Sequence, residues 1–357
     1  MKRRPPISRR TFLKLTATVA AGAALAGCTP KPSSSLPTET KIPATIPTVP
    51  PSATTGVIVT ETTPAEATQA GTNPTETASN LQPSPTTSPA YLAVAHGPDP
   101  AAITRAAIDA LGGMASLVSS GFDVIIKPNI CTDYHTPEYA TTTNPIVVAT
   151  LVSMCLEAGA GRVRVMDYPF GGTPQSAYDI SGIAQAVESA GGEMHIMSRP
   201  KYTGVDIPLG KSLTRVEIYP DILEADLLIN VPIAKHHGST RLTLGGKNLM
   251  GVILDRNLMH INLSQRIADL TSLVRPALTV VDAVRILTNH GPTGGDLGDV
   301  RQTDTVIASR DIVAADSYAT TLFGLTGADI GYIPASAELG LGTMDLSSIN
   351  IQEINLG

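Results

Sequence analysis

The sequence predicts an α/β fold: a mixed, largely parallel sheet with helices packed on its faces. Three observations predict it. Short apolar runs rich in β-branched residues recur along the chain, as in VIIKPNI, RVRVMD and LLINVPIA, and strands buried on both faces have this pattern. Between them lie segments with apolar residues at helical spacing, such as IVVATLVSMCLEAGA and NLSQRIADLTSLV. The two kinds of run alternate, which argues for strand–helix–strand crossovers and hence parallel pairing.

Each element follows in order. The folded body is expected to begin near Tyr91, and DPAAITRAAIDALGGMASLV has helical spacing. FDVIIKPNI is a short buried strand. Asn144-Pro145 then offers an N-cap and a proline at the first helical position of the next helix, which stops at glycine. RVRVMDY reads as a strand and ISGIAQAVESAGG as a helix. EMHIM, VEIY and DLLINVPIA read as strands, NLSQRIADLTSLV as a helix, ALTVVDAVRIL and DTVIAS as strands, and IVAADSYATTLFG as a helix. SSINIQEINLG alternates like an edge strand. Aromatic residues make up only 4% of the chain and Trp is absent, so Val, Ile, Leu and Ala must build the core. No internal repeat is evident.

The first ninety residues are of other kinds. Ser8-Arg9-Arg10-Thr11-Phe12-Leu13-Lys14 is close to the consensus of twin-arginine export signals. The apolar stretch LTATVAAGAALAG follows, too short for a confident membrane span. It ends in Leu25-Ala26-Gly27-Cys28, which resembles a lipoprotein cleavage box and makes Cys28 the expected lipidation site. Residues 29–90 are rich in Pro, Thr, Ser and Ala, and such a segment cannot bury enough apolar surface to offset its ordering entropy. It is expected to be a disordered tether with a reach of roughly 45 Å. The chain thus divides into a signal peptide at 1–27, a lipidated Cys28 with its tether at 28–90, and an α/β domain at 91–357. The expected location is extracytoplasmic, anchored to a membrane by lipid and reached by the twin-arginine route.

Formal net charge is −6, and no basic stripe interleaved with aromatics is present, which argues against nucleic-acid binding. Loss of Lys2, Arg3, Arg4, Arg9, Arg10 and Lys14 with the signal takes the mature charge to about −12. Against that background three polar clusters lie just after predicted strands, where α/β sheets collect ligands. The first holds Lys127 and Asn129, with Cys131 beside them. The second runs from Lys235, His236 and His237 through Arg241 to Lys247 and Asn248. The third holds Asp282 and His290. Five cationic or imidazole groups within residues 235–247, amid Gly and Leu, suit a pocket for a carboxylate or phosphate.

The stretch LGGKNLMGVILDRNLMH, residues 244–260, concentrates the question. Gly245-Gly246 are expected to bend the chain so that Lys247 and Asn248 face the pocket, with the apolar run returning His260 to it. A desolvated lysine there can act as a base, form a Schiff base or hold a cofactor. His237 and His260 join Lys247 as candidate catalytic groups. His236, His237 and His260 are candidate ligands for a divalent metal, although no tight His-x-x-x-His spacing supports them.

The stretches VIIKPNI, TTNPIVVATLVSMCLEAGAGRVRVMD, ADLLINVPIAKHHGSTRLTLGGKNLMGV, ALTVVDAVRILTNHGPTGGD and VIASRDIVAADSYA resemble, in order, the domain-of-unknown-function family 362. The resemblance spans most of residues 120–325 and implies no assigned activity. Some relatives carry ferredoxin-like cysteine motifs. Here only Cys131 and Cys155 follow Cys28, too few for the four thiolates of an iron–sulfur cluster. A fainter, local similarity links His237, Gly245-Gly246-Lys247 and His260 to the nickel-pincer lactate racemases, where a lysine carries the cofactor. This chain departs from them: no proline follows the lysine, the interval to the histidine is shorter, and the Asp-x-Thr-Arg-Pro segment is absent.

The function expected is that of an enzyme acting on a small anionic substrate, with the cofactor unknown. The alternative is a lipoprotein that captures an anionic solute without chemistry. The expected partners are that small anion and the membrane.

Overall fold

The structure, a computed structural model, describes residues 89–357. The signal peptide, Cys28 and all but the last two residues of the expected tether therefore lie outside the described residues. The order of elements bears out the α/β expectation. It runs β1 (Leu92–His96), α1 (Pro100–Ala110), β2 (Asp123–Pro128), α2 (Pro145–Glu157), β3 (Arg162–Val165), α3 (Pro174–Ile180), α4 (Ile183–Ser189) and β4 (Glu193–Met194). It continues with β5 (Thr203–Asp206), β6 (Arg215–Ile218), α5 (Asp221–Glu224), β7 (Leu227–Val231), β8 (Ile233–His237), β9 (Arg241–Thr243), α6 (Gly245–Asn248) and α7 (Leu263–Val274). The last elements are β10 (Leu278–Leu287), β11 (Val300–Ser309), α8 (Ile312–Thr320), α9 (Tyr332–Glu338) and β12 (Ile351–Asn355).

The main sheet has the order β12-β1-β11-β10-β7-β2-β3-β4, with β8 beside β10 and β9 beside β8. The run from β10 through β7, β2 and β3 to β4 is parallel, as are β1 with β12 and β8 with β10. β11 pairs antiparallel with both β1 and β10. VEIY supplies a strand as expected, and as β6 it pairs with β5 in a separate two-stranded sheet.

Side-chain alternation along the strands divides the interior into two cores. Ala93, Val124, Ile126, Val163, Val165 and Ile229 pack with α1, α2 and α4 on one face. Leu92, Ile125, Leu228, Val281 and Ile307 pack with α7, α8 and α9 on the other. Side-chain caps start the covering helices. Asn144 accepts a hydrogen bond from the Ile146 amide at 2.9 Å, and Asp311 accepts from Val313 and Ala314 at 2.8 and 2.9 Å.

The topology also places the site. From β2 the chain crosses to β3 on one side, and from β7 it proceeds to β8 and β10 on the other. β2 and β7 are adjacent and parallel, with Lys127 opposite Asn230. Their carboxyl ends therefore flank a crevice at a topological switch point.

Candidate functional site

β2 alternates, so Lys127 shares the face of Ile125 and enters the crevice fully buried. Its amine pairs with Asp167, two residues beyond β3, at 2.8 Å. It also donates to the Pro128 carbonyl at 2.7 Å and to Asn248 Oδ1 at 3.0 Å. Burial lowers the Lys127 pKa from the usual lysine value, and Asp167 opposes that shift. Asp167 accepts as well from the Ile130 amide at 2.6 Å and the Tyr168 amide at 2.9 Å.

On β8 the same alternation puts Lys235 and His237 on one side and His236 on the other. Lys235 is buried and faces four acceptors: Asn129 Oδ1 at 3.1 Å, Cys131 Sγ at 3.3 Å, and the carbonyls of Thr141 and Pro292 at 2.5 and 2.9 Å. Asn248 ties the two lysine environments together. Its Oδ1 accepts from Lys127 and from Asn129 Nδ2 at 2.9 Å, while its Nδ2 donates to Asn230 Oδ1 at 2.9 Å. This is a continuous, satisfied polar chain inside an apolar core, and such chains hold their members rigidly.

Lys247 sits on α6, a single turn. The carboxylate of Asp316 holds the start of that turn, accepting from the Gly245 and Gly246 amides at 2.6 and 2.9 Å. Burial pushes the Asp316 pKa up to about 7, against the pull of those two amides. The role of the glycines differs from expectation: neither has a positive φ. A Cβ on Gly245 would stand 2.6 Å from Asp316 Oδ1, so the residue is small because the carboxylate approaches closely. Gly251 is held to glycine in the same way, since its Cβ would meet Asp167 Oδ1 at 1.9 Å and Lys127 Nζ at 2.6 Å.

Lys127, Asn129, Lys235, His237, Lys247 and Asn248 line one pocket, together with Cys131, Asp167, Tyr168 and Arg256. Its cavity volume is about 50 Å³. That is far below the roughly 300–1,000 Å³ of pockets for drug-sized ligands, so its ligand is small. Lys247 is partly buried, and among the described residues its amine has no hydrogen-bond or ion-pair partner. Burial first, then Lys235, Arg256 and Lys127, brings the Lys247 pKa down to about 7. Arg256 donates to the Met250 carbonyl at 3.0 Å and to the Tyr168 carbonyl, and its guanidinium lies over the Tyr168 ring.

Five residues proposed from the sequence do not line this pocket. His236 turns away and accepts from the Gly291 amide at 3.0 Å. His260 is exposed, on a one-turn 3-10 segment, with Nδ1 donating to the Arg256 carbonyl at 3.1 Å. The apolar run therefore returns Arg256 to the pocket, not His260. Arg241 is exposed and pairs with Asp329 at 3.2 Å. His290 is exposed and pairs with Asp299 at 2.6 Å. Asp282 is a buried brace that accepts from the Asn144 and Val284 amides at 2.7 and 3.0 Å, and burial pushes its pKa up to about 6.

The expected metal set is not assembled either. Among the described residues no three His, Cys, Asp or Glu side chains are grouped to hold an ion. His237 Nδ1 accepts from the Ser239 amide at 3.1 Å, so the neutral His237 ring carries its proton on Nε2, and His236 Nδ1 is taken up by the Gly291 amide. A protonated Nε2 has no lone pair for a metal. Burial, with Lys247 next, lowers the His237 pKa to about 3 and keeps it a neutral N–H donor. Sequence reasoning missed Asp167 and Arg256. The signal for Asp167 was its place near the end of the RVRVMDY run, and for Arg256 a basic residue beside Asp255 just after an apolar run.

Fold and site together define an α/β protein with a small cation-rich pocket at the switch point of a mostly parallel sheet. Residues 124–321 match the family model described as a domain of unknown function, DUF362, and the chain belongs to that family. Residues 6–26 match the signal sequence of the twin-arginine translocation pathway, which directs export across a membrane. The thylakoid-associated protein sll1697 of Synechocystis is 26% identical over 257 residues, covering 66% of this chain and 74% of that protein. Among solved structures, the lactate racemase apoprotein of Thermoanaerobacterium thermosaccharolyticum is similar at a TM-score of 0.42 and 12% identity, covering 60% of this chain and 53% of that one. A Thermotoga maritima protein is similar at 0.36 and 11%, covering 64% and 60%. This chain thus spans less than two thirds of either structure, and at these scores neither bears on its chemistry.

Proposed function

We propose that this protein is an exported, lipid-anchored enzyme that binds a small anionic substrate in the Lys127–Arg256 pocket and uses the Lys247 amine as its reactive group. The observation that carries this reading is one unpartnered lysine among cations that are themselves held in place. Four cationic side chains line the pocket against the single carboxylate of Asp167, so the cavity favours a negative ligand. An amine with a pKa of about 7 is in part unprotonated at neutral pH, as a general base or nucleophile must be.

The test is turnover. The mature protein is incubated in deuterated water with small carboxylates and phosphate monoesters and followed by nuclear magnetic resonance. Conversion or hydrogen exchange of at least one compound is expected, with a loss of 100-fold or more in Lys247→Met. Anion-dependent stabilisation without any conversion would replace the enzyme by the solute-binding alternative.

The anchor rests on the order of Arg9-Arg10 and Leu25-Ala26-Gly27-Cys28. A membrane location is in keeping with the name of the thylakoid-associated relative. Cys28→Ala is expected to leave the protein unprocessed or release it from the membrane fraction. An unchanged fraction with Met1 intact would refute the anchor.

A further inference from the structure

The free hydrogen-bond donors of the pocket narrow the substrate further, on the footing of the function proposed above. Lys127 has three hydrogens and three acceptors: Pro128 O, Asn248 Oδ1 and Asp167. Lys235 has three hydrogens and four acceptors. Both contribute positive charge to the cavity and neither has an N–H to spare. Arg256 spends Nε and Nη2 on the Met250 and Tyr168 carbonyls, which leaves Nη1 without a partner among the described residues. Lys247 has no hydrogen-bond or ion-pair partner among the described residues. His237, with Nδ1 occupied by the Ser239 amide, offers a neutral Nε2–H. A ligand that satisfies this pocket is small, carries one anionic group for the guanidinium, and offers the amine something other than charge.

We propose that the substrate is a small α-oxo carboxylate and that Lys247 captures it as a Schiff base while Arg256 holds its carboxylate. The Lys247 nitrogen forms a bond to the carbonyl carbon, and the carbonyl π pair moves onto oxygen. One amine proton follows to that oxygen, giving a carbinolamine. The carbon–oxygen bond then breaks and water leaves with the second amine proton, so both of its hydrogens come from the amine and no oxidant or reductant is needed. His237 Nε2–H supports the departing oxygen as a hydrogen-bond donor. The other cations favour this course, because they disfavour an ammonium at position 247 but not a neutral amine or imine.

The experiment is reductive trapping on the purified mature chain. Glyoxylate or pyruvate is added with cyanoborohydride near neutral pH, and adducts are located by intact mass and peptide mapping. One dominant adduct at Lys247 is expected, with acetaldehyde or acetone labelling that residue at least 10-fold less at equal concentration. Arg256→Gln is expected to erase most of that preference for the anionic carbonyl. In Lys247→Met and Lys247→Gln, each checked for native circular dichroism, the dominant adduct is absent.

Labelling spread evenly over surface lysines, or equal labelling by neutral carbonyls, would overturn the proposal. A thermal-shift titration with inorganic phosphate separates the two levels. If phosphate stabilises the wild type and not Arg256→Gln, yet no adduct forms, anion binding stands and the Schiff base falls. If neither occurs, both fall.

Discussion

Two ionic clusters lie on the same face of the sheet, at opposite ends of its strands, and they are built on different principles. At the amino end of β2, Arg164 pairs with Asp123 at 2.6 Å and with Asp221, and Asp221 pairs with Lys201 at 2.6 Å. Two cations meet two carboxylates and the charges cancel. At the carboxyl end, Lys127, Lys235, Lys247 and Arg256 face Asp167 alone. The first cluster is complete without a ligand. In the second, Asp167 balances Lys127 alone, Lys235 is satisfied by carbonyls, an amide and the Cys131 sulfur, and among the described residues Lys247 is left over. Structural networks close their own charge, whereas a binding site leaves its imbalance for the ligand to close.

The largest expected effect tests whether the unbalanced end is held together by its one acid. Asp167→Ala leaves the buried Lys127 amine without its counter-ion and removes the acceptor for two amides. It should cost about 3–5 kcal/mol in chemical denaturation. A loss below about 1 kcal/mol would show that the carbonyls suffice.

The next effect is smaller and of opposite sign. The folded Lys247 pKa of about 7 lies below the ordinary lysine value of 10.5. Between those values the unfolded chain binds more protons than the folded one, so stability rises with pH across that window. Above 10.5 both states are neutral and the penalty is absent; below 7 both are protonated and the penalty is full. Lys247→Met should therefore be more stable than wild type at pH 7, by on the order of 2 kcal/mol once the full linkage value of about 5 kcal/mol is discounted for solvent access to the half-buried side chain, with the gain vanishing towards pH 10.5. Denaturation midpoints across pH 6–10 would check this, and a destabilised variant would mean that the amine has a partner.

The smallest effect is the control. Arg241, on β9, lies across from His237 but does not line the pocket; it forms an exposed pair with Asp329, and Arg241→Ala should change stability by less than about 1 kcal/mol. A change in phosphate binding in that variant would extend the cationic region beyond the pocket.

Much of the scaffold was legible because periodicity reports burial. VIIKP, RVRV, LLINV and LTVVDAVRIL became β2, β3, β7 and β10, and Asn144-Pro145 capped α2 as expected. β1 and β9 were not foreseen: three to five residues beside polar neighbours give no period to read. The site was legible where a polar residue followed a strand, as at Lys127 and Lys235. It was illegible where the decisive fact was a side chain's direction. His236 and His237 are adjacent, yet the strand sends them to opposite faces. His260 and Arg256 share a turn, and only Arg256 reaches inward. Asp316 lies 69 residues beyond Lys247, and no local pattern links a carboxylate to the amides it holds.

The polar chain through Asn248 also bears on the order in which the molecule assembles. Lys127 and Asn129 reach their shared acceptor across 121 and 119 residues of sequence. Closing loops of that length costs entropy before any contact repays it, so these bonds are expected to form after the local contacts of β2, α2 and β3. Until Asn248 arrives, the carboxyl end of β2 would bury an amine and an amide incompletely satisfied, which disfavours any compact intermediate that has formed β2, α2 and β3 alone. A molecule whose crevice is formed has therefore already joined residues from both halves of the domain.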